Sequence, residues 1–225
     1  MVKSETMTRR RLTPSQEDYL KSLYKLGGAL EAVGTSQVAE RMGVSPAAAT
    51  EMLTKLAAQG LVAHDRYRGA TLTREGRAVA LEMLRHHRLL EVYLARKLGY
   101  RWDEVHDEAE LLEHVISERL EQRMFDLLGQ PEVDCHGDPI PSLSGEVPTV
   151  RYRSLLEARS GERLKVRRVS DDDSGRLRAL DRLGLRLGVE IEVLAESEYE
   201  GPIEARVSGR RRRIPIGVAK GVFVG

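Results

Sequence analysis

The apolar positions of the chain change period along its length, and the changes mark its elements. Pro14-Ser15-Gln16-Glu17 reads as a helix start, after which Tyr19, Leu20, Leu23, Tyr24 and Leu26 recur at helical spacing until Gly27-Gly28. Thr35 or Ser36 can cap a short second helix carrying Val38, Ala39 and Met42, which stops at Gly43. Ser45-Pro46, an N-cap followed by proline at the first helical position, opens a third helix that ends at Gly60. Leu61-Val62-Ala63 and Ala70-Thr71-Leu72-Thr73 then read as strands joined by a polar turn ending in Gly69. Helical periodicity returns from Arg74 to Leu98 and again from Asp103 to Leu128.

Prolines and glycines crowd the stretch from Gln130 to Pro148, which predicts a linker. Beyond it the alternation of Leu164–Val169, Val189–Val193, Ile203–Val207 and Val218–Val224 predicts short strands, with a short helix around Arg176 to Leu183. A compact five-strand barrel or roll is the natural closure of such strands. The expected fold is therefore mainly α with small β parts: a winged helix-turn-helix over 1–76, a helical segment over 77–129, a linker over 130–149 and a β domain over 150–225.

Charge changes this picture only when divided. The total of +1 favours no polyanionic partner, but the first 76 residues carry +3, residues 77–128 carry −3 and the remainder carries +1. The front and the middle are different surfaces. A single cysteine, Cys135, excludes an intrachain disulfide and a thiolate zinc cluster. No apolar run approaches membrane-spanning length and the start lacks a secretory core, so a cytoplasmic protein with no membrane partner is expected.

Helix, tight turn, helix and hairpin is the layout of a winged DNA reader, in which the second short helix enters the major groove. Here that helix spans 45–59. Its small leading residues, Ser45, Pro46, Ala47, Ala48 and Thr50, allow close approach to base edges, Ser36 lies on the preceding helix, and Lys55, Arg66, Tyr67 and Arg68 would meet phosphates. Taken singly these residues are ordinary surface features; their order is what points to double-stranded DNA. A front of only +3 predicts weak binding by one copy and hence a dimer on a palindromic operator, with the helical middle as its dimer surface.

The acidic middle carries a second constellation. His106, Glu110 and His114 follow one another at spacings of four with Glu113 three after Glu110, so one continuous helix would gather them on one edge. His87 and Glu91 are also four apart, and Asp18 interrupts the apolar run of the first helix. Oxygen and imidazole donors without thiolate suit Mn²⁺ or Fe²⁺, with Zn²⁺ not excluded by ligand type. His136, beside Cys135 in the linker, reads as a plain loop pair rather than a metal or nucleophile pair.

Glu17-Asp18-Tyr19-Leu20, Val44-Ser45-Pro46, Tyr67-Arg68-Gly69, His87-Arg88-Leu89-Leu90-Glu91, Val105-His106-Asp107-Glu108 with Glu113-His114, and Gly137-Asp138-Pro139-Ile140-Pro141 resemble, in that order, the diphtheria toxin repressor family of metal-dependent regulators. The resemblance covers nearly the whole chain, and it implies an SH3-like barrel as the third domain. It also implies a homodimeric repressor of metal homeostasis genes with a divalent ion as corepressor. The family's primary site would fall on Asp18, Glu110, Glu113 and His114, and its ancillary site on His87, Glu91 and His106 with Asp172 or Asp173. Glu110 and Asp18 stand where iron-responsive members carry cysteine and methionine, which implies the manganese-responsive branch, with Fe²⁺ as the alternative. Lys21 replaces a glutamate of the short two-domain members, so two separate mononuclear sites per chain are expected. Arg176 replaces an expected neutral amide.

Two rival readings remain at this level. A carboxylate-histidine metalloenzyme would need a second Glu-x-x-His on another helix, and no nucleophile with an oriented base is present, so no enzyme is expected. The other is a winged-helix regulator indifferent to metal.

Overall fold

The computed structural model describes residues 12–65, 67–171, 173–197 and 201–225. The chain forms two compact units, Met1–Leu84 and Arg85–Gly225. The division falls inside one long helix.

In the first unit, α1 (Pro14–Lys25) begins with a reciprocal cap in which Thr13 Oγ1 accepts from Gln16 N and Gln16 Oε1 accepts from Thr13 N. Next come α2 (Thr35–Met42) and α3 (Pro46–Ala58), joined at Gly43, whose left-handed φ of 65° closes the tight turn. The N-cap of α2 is Gly34 rather than Thr35 or Ser36, its amide donating to Gln37 Oε1 at 3.1 Å. Ser45 caps α3 as expected, accepting from Ala48 N. Strands β1 (Val62–Asp65) and β2 (Gly69–Leu72) form the antiparallel hairpin. Leu20, Leu23, Val38, Leu53, Leu56 and Val62 fill the core between these elements. That core fixes α3 against the hairpin.

Helix α4 (Arg74–Leu98) starts with Gly76 packed on the turn after α3: a Cβ there would lie 1.9 Å from Leu61 O. The helical pattern of 103–128 is not one helix but two, α5 (Val105–Leu112) and α6 (Glu118–Leu127). Ser117 breaks it, because its hydroxyl accepts from Leu120 N and caps a new helix, a preference that side-chain periodicity does not register. Leu89, Leu90, Leu94, Val105, Ala109, Met124 and Leu128 bury the inner faces of α4, α5 and α6. Part of the expected linker belongs to this body. Ile140 is buried in the same core, and the carbonyls of Pro139 and Pro141 accept from Arg88 and Arg85 at 2.6 and 2.7 Å.

The carboxyl-terminal part is an antiparallel six-stranded sheet, not a five-strand barrel. Its strands are β3 (Arg153–Ser154), β4 (Arg163–Val169), β5 (Glu190–Ala195), β6 (Ile203–Val207), β7 (Arg210–Ile214) and β8 (Val222–Val224), in the order β3-β8-β4-β5-β6-β7. The sheet stays open: β3, two residues long, and β7 are its edges. Helix α7 (Ser174–Leu183) covers its core, and the predicted strand from Val218 is instead the one-turn α8 (Ile216–Ala219) followed by β8. Val166, Val169, Leu177, Leu180, Ile191, Val193, Ala205 and Val222 are fully or almost fully buried there. The run Arg210–Arg213 is the exposed edge β7, whose charges discourage pairing with another chain.

The tightest backbone approach gives a stability test. Gly76→Ala replaces a poor helix former by the best one, yet the clash with Leu61 O should dominate and destabilise by about 1–3 kcal/mol. Urea denaturation of the two proteins reads this directly; a midpoint raised by the alanine would mean that helix propensity wins.

Candidate metal centre and DNA-reading face

The metal-ligand candidates of the second unit meet around one imidazole. His87 and Glu91, one turn apart on α4, are buried with side-chain exposures of 1% and 0%, and His87 Nε2 lies 3.1 Å from Glu91 Oε1. From α5, His106 Nδ1 stands 3.1 Å from His87 Nε2 and 3.4 Å from Glu91 Oε1. On its other side His87 Nδ1 donates to Glu113 Oε2 at 2.5 Å, and Glu110 Oε1 lies 4.0 Å away. His114 Nε2 is 3.7 Å from Glu113 Oε1. The two expected ligand sets of this unit therefore abut, with His87 between them.

The geometry differs from a single helical ladder. Helix α5 ends at Leu112, Glu113 is its C-cap and His114 lies beyond, so these two reach the cluster through the helix end rather than through a spacing of four. From the third domain the described carboxylate that reaches the cluster is Asp171. Asp171 Oδ2 lies 3.8 Å from His106 Nδ1, whereas Asp173 caps α7, its Oδ1 accepting from Arg176 N at 3.1 Å. Asp172 lies outside the described residues.

Cys135 and His136 do not form the plain loop pair that their sequence suggested. His136 is fully buried; its Nε2 donates to Trp102 O at 3.0 Å and its Nδ1 stands 3.6 Å from Glu91 Oε2. Cys135 Sγ is 3.5 Å from the same Nδ1. Only the fold could show this, since Glu91 is remote in sequence. What the sequence offered was an unexplained His in an aspartate-rich turn, Asp134 to Asp138.

Electrostatics follow from burial without water. Burial alone would lower the His87 pKa, but the charge of Glu91 and the hydrogen bonds to Glu113 and Glu91 outweigh it and raise it to about 9. Burial would raise that of Glu91, but His87 and the His106 hydrogen bond hold it well below the usual carboxylate range. His136, which burial would likewise lower, is pushed up to about 12 by the Cys135 sulfur and the Glu91 carboxylate. Burial pushes Cys135 up to about 11 and, with Glu91 and Asp138, Asp134 up to about 7.

These residues fit a divalent cation. Glu91 Oε2 is buried with no hydrogen-bond partner, an oxygen that a metal–oxygen bond would satisfy. One ligand atom from each of His87, Glu91, His106 and Asp171 lies within 4.8 Å of the others, as does one from each of His87, Glu110 and Glu113, and one from each of Glu91, Cys135 and His136. The donors are oxygen and imidazole apart from that single thiol.

In the first unit, Asp18 lies on α1 with its side chain 28% exposed, and the buried Lys21 ammonium is 3.9 Å from Asp18 Oδ1. Most of the reader candidates of that unit are exposed. Ser36, Ser45, Pro46, Ala47, Ala48 and Lys55 are exposed, and Thr50 is half-buried with its hydroxyl donating to Pro46 O at 2.8 Å. In the wing, Asp65 Oδ1 accepts from Tyr67 N and Arg68 N, which projects Tyr67 with 93% exposure and leaves Arg68 exposed. Arg66 lies outside the described residues.

Comparison with known proteins matches every one of these parts. The iron dependent repressor N-terminal DNA binding domain matches residues 11–70, the iron dependent repressor metal binding and dimerisation domain residues 73–142, and the FeoA domain residues 153–225. A diphtheria toxin repressor from Corynebacterium efficiens is 30% identical over 196 residues, covering 82% of this chain and 85% of that protein. The solved structure of a manganese-dependent transcriptional repressor in complex with manganese is 44% identical, covers 93% of this chain and 98% of its own, and superposes with a TM-score of 0.85. A structure of ScaR with bound Zn²⁺ is 35% identical with a TM-score of 0.77, over 93% of this chain and 98% of its own.

A pH test follows from His87. Its pKa is raised above the ordinary 6.5, so with divalent ions chelated its protonated form contributes stability that is complete below pH 6.5 and is lost as pH rises through about 9. Urea midpoints of the chelated protein should fall across that window, and His87→Gln should flatten the fall. Parallel profiles for the two proteins would place the raised pKa elsewhere.

Proposed function

Because the chain belongs to the iron-dependent repressor family, we propose that it is a dimeric repressor whose operator binding is licensed by Mn²⁺ held in the His87–Glu113 cluster and its neighbours. The observation that carries this is a buried gathering of Glu91, Glu113 and imidazoles, one of whose carboxylate oxygens has no hydrogen-bond partner, in the same chain as a winged reader. The metalloenzyme alternative falls away, since both the DNA-binding and the metal-binding domain models match and the family consists of DNA-binding repressors.

We assign Glu110, Glu113 and His114 to the primary site and His87, Glu91 and His106 to the ancillary one, with Asp171 joining it from the third domain. When bound, the ion supplies two positive charges and a fixed ligand geometry to carboxylates that otherwise repel. The residues do the rest. Glu113, Glu91 and His87 would hold the ion, His87 through a ring nitrogen free of its proton and Glu91 through the oxygen that has no hydrogen-bond partner. Binding can favour the DNA-competent arrangement only by as much as the ion prefers it.

Oxygen and imidazole donors at position 110 and around it favour Mn²⁺, with Fe²⁺ second. The manganese-bound relative supports that order. The relative with bound Zn²⁺ is a reminder that such a site admits other ions. Leu111, Val115, Leu120 and Leu127, all well exposed in the segment matching the dimerisation domain, are assigned to the partner copy. Dimerisation would place two reader helices on a palindromic operator at half-sites about 34–36 Å apart. Among the described residues no helix is long and apolar enough to cross a membrane, and we assign the repressor to the cytoplasm.

Operator binding measured against Mn²⁺ concentration tests the reading. Glu113→Gln should raise the Mn²⁺ needed for half-maximal binding by at least about tenfold, and Glu110→Cys should shift preference towards softer ions. Operator affinity indifferent to metal would sink the corepressor role. At saturating Mn²⁺, Lys55→Ala and Arg68→Ala should each flatten the salt dependence of binding by about 0.9 logarithmic units for every phosphate no longer neutralised. An unchanged slope would remove that residue from the DNA interface.

A further inference from the structure

Next to His87 on α4 stands a second imidazole that the metal cluster does not use. His86 is buried, and both its ring nitrogens face acceptors: Nδ1 lies 3.1 Å from the main-chain oxygen of Glu113, and Nε2 lies 3.2 Å from Glu121 Oε2. Glu121, on α6, is 3% exposed and receives Arg85 Nε on its other oxygen. Arg85 lies over the Phe125 ring and donates through Nη1 to Pro141 O at 2.7 Å. Consecutive residues of α4 thus hold the two ends of one glutamate: His87 takes its carboxylate and His86 its carbonyl. The carbonyl belongs to the C-cap of α5, where the helix leaves its last oxygens without internal donors.

We propose that His86 is a positioning residue that couples Glu113 to the dimerisation helix α6 through Glu121. The path is continuous and buried, from Glu113 through His86 to Glu121, with Arg85 fixing the far end. Its members sit on the inner side of helices whose other residues, Leu111, Leu120 and Leu127, are exposed. A change in how Glu113 is held therefore reaches α6 without passing through solvent. Because coupling is reciprocal, dimer contact on α6 should in turn favour the Glu113 placement that binds metal. This rests on Glu113 being a ligand, as argued under the proposed function.

The test uses the full chain, Mn²⁺ itself and three variants: His86→Phe, which keeps a ring but no donor; Glu121→Gln, which keeps shape but not charge; and Glu113→Gln. Calorimetric titration reads the two metal equivalents separately, and sedimentation reads the factor by which Mn²⁺ tightens the dimer. For His86→Phe and Glu121→Gln one equivalent should weaken on the order of 10–100-fold while the other holds, and the dimer-tightening factor should shrink with it. His86→Gln, which retains an amide donor, should recover part of both. Wild-type binding and wild-type coupling in the folded variants would overturn the proposal, and so would equal weakening of both equivalents, the mark of general loosening. If His86→Phe gives no cooperative melt, Glu121→Gln decides alone. Wild-type Mn²⁺ binding by Glu113→Gln would fell the ligand assignment and this coupling with it. A lost site there beside unaltered His86 and Glu121 variants fells the coupling only.

Discussion

Glu91 and Glu113 lie wholly buried against a single imidazole, and compensating those two carboxylates is the constraint on which the second unit turns. A buried charge is tolerated only when paired and hydrogen-bonded, because the interior returns little of the hydration it removes. Around Glu91 the chain supplies His87, His106 and His136, each from a different segment, and around the Glu113 carboxylate it supplies His87 and His114. The breaks between α4, α5 and α6 and the path of the proline-rich stretch all serve that convergence. One carboxylate oxygen is still left over, and protons on imidazole are a compensation that a divalent ion can replace.

The same need explains why the stretch after α6 is not a free linker. Arg85 and Arg88, inward on α4, would be costly to bury without acceptors, and the chain gives them the carbonyls of Pro139 and Pro141 and the carboxylates of Asp134, Asp138 and Glu121. Gly137 makes the close approach possible: with φ of 92°, a Cβ there would lie 2.2 Å from Arg167 O, while His136 O accepts from Val169 N. The segment ties α4 and β4 to one another.

Much of this was legible in the chain. The first unit could be read almost element by element because its boundaries are punctuated: Pro14, Gly27, Gly43, Ser45-Pro46 and Gly60 each have a local mechanism that tertiary contacts do not override. The candidate metal ligands were legible as residue types, not as geometry. Ser117 competes with the apolar period of 103–128 and wins, which turns a supposed ladder into a helix end carrying Glu113 and His114. Asp171, Asp172 and Asp173 are indistinguishable in sequence; what separates Asp171 from Asp173 is that one reaches His106 and the other is consumed by the cap of α7. His136 was illegible for a plainer reason, since nothing near it in sequence announces Glu91. The open sheet was missed because β3 and β8 are too short to show alternation.

The position of the chain's one thiol bears on which ion the site would favour. Cys135 lies within reach of Glu91 and His136, so softness is available to the cluster in principle. Burial, however, holds the thiol at about pKa 11, and the neighbouring carboxylates of Glu91 and Asp134 oppose a further negative charge. A soft ion would have to drive off that proton to gain a thiolate bond, whereas a hard ion gains little from a thiolate. Selectivity in such a centre is then set less by a thiol being present than by whether its surroundings let it ionise. Here they oppose it, so the thiol's presence within reach of Glu91 does not by itself make the cluster a soft one.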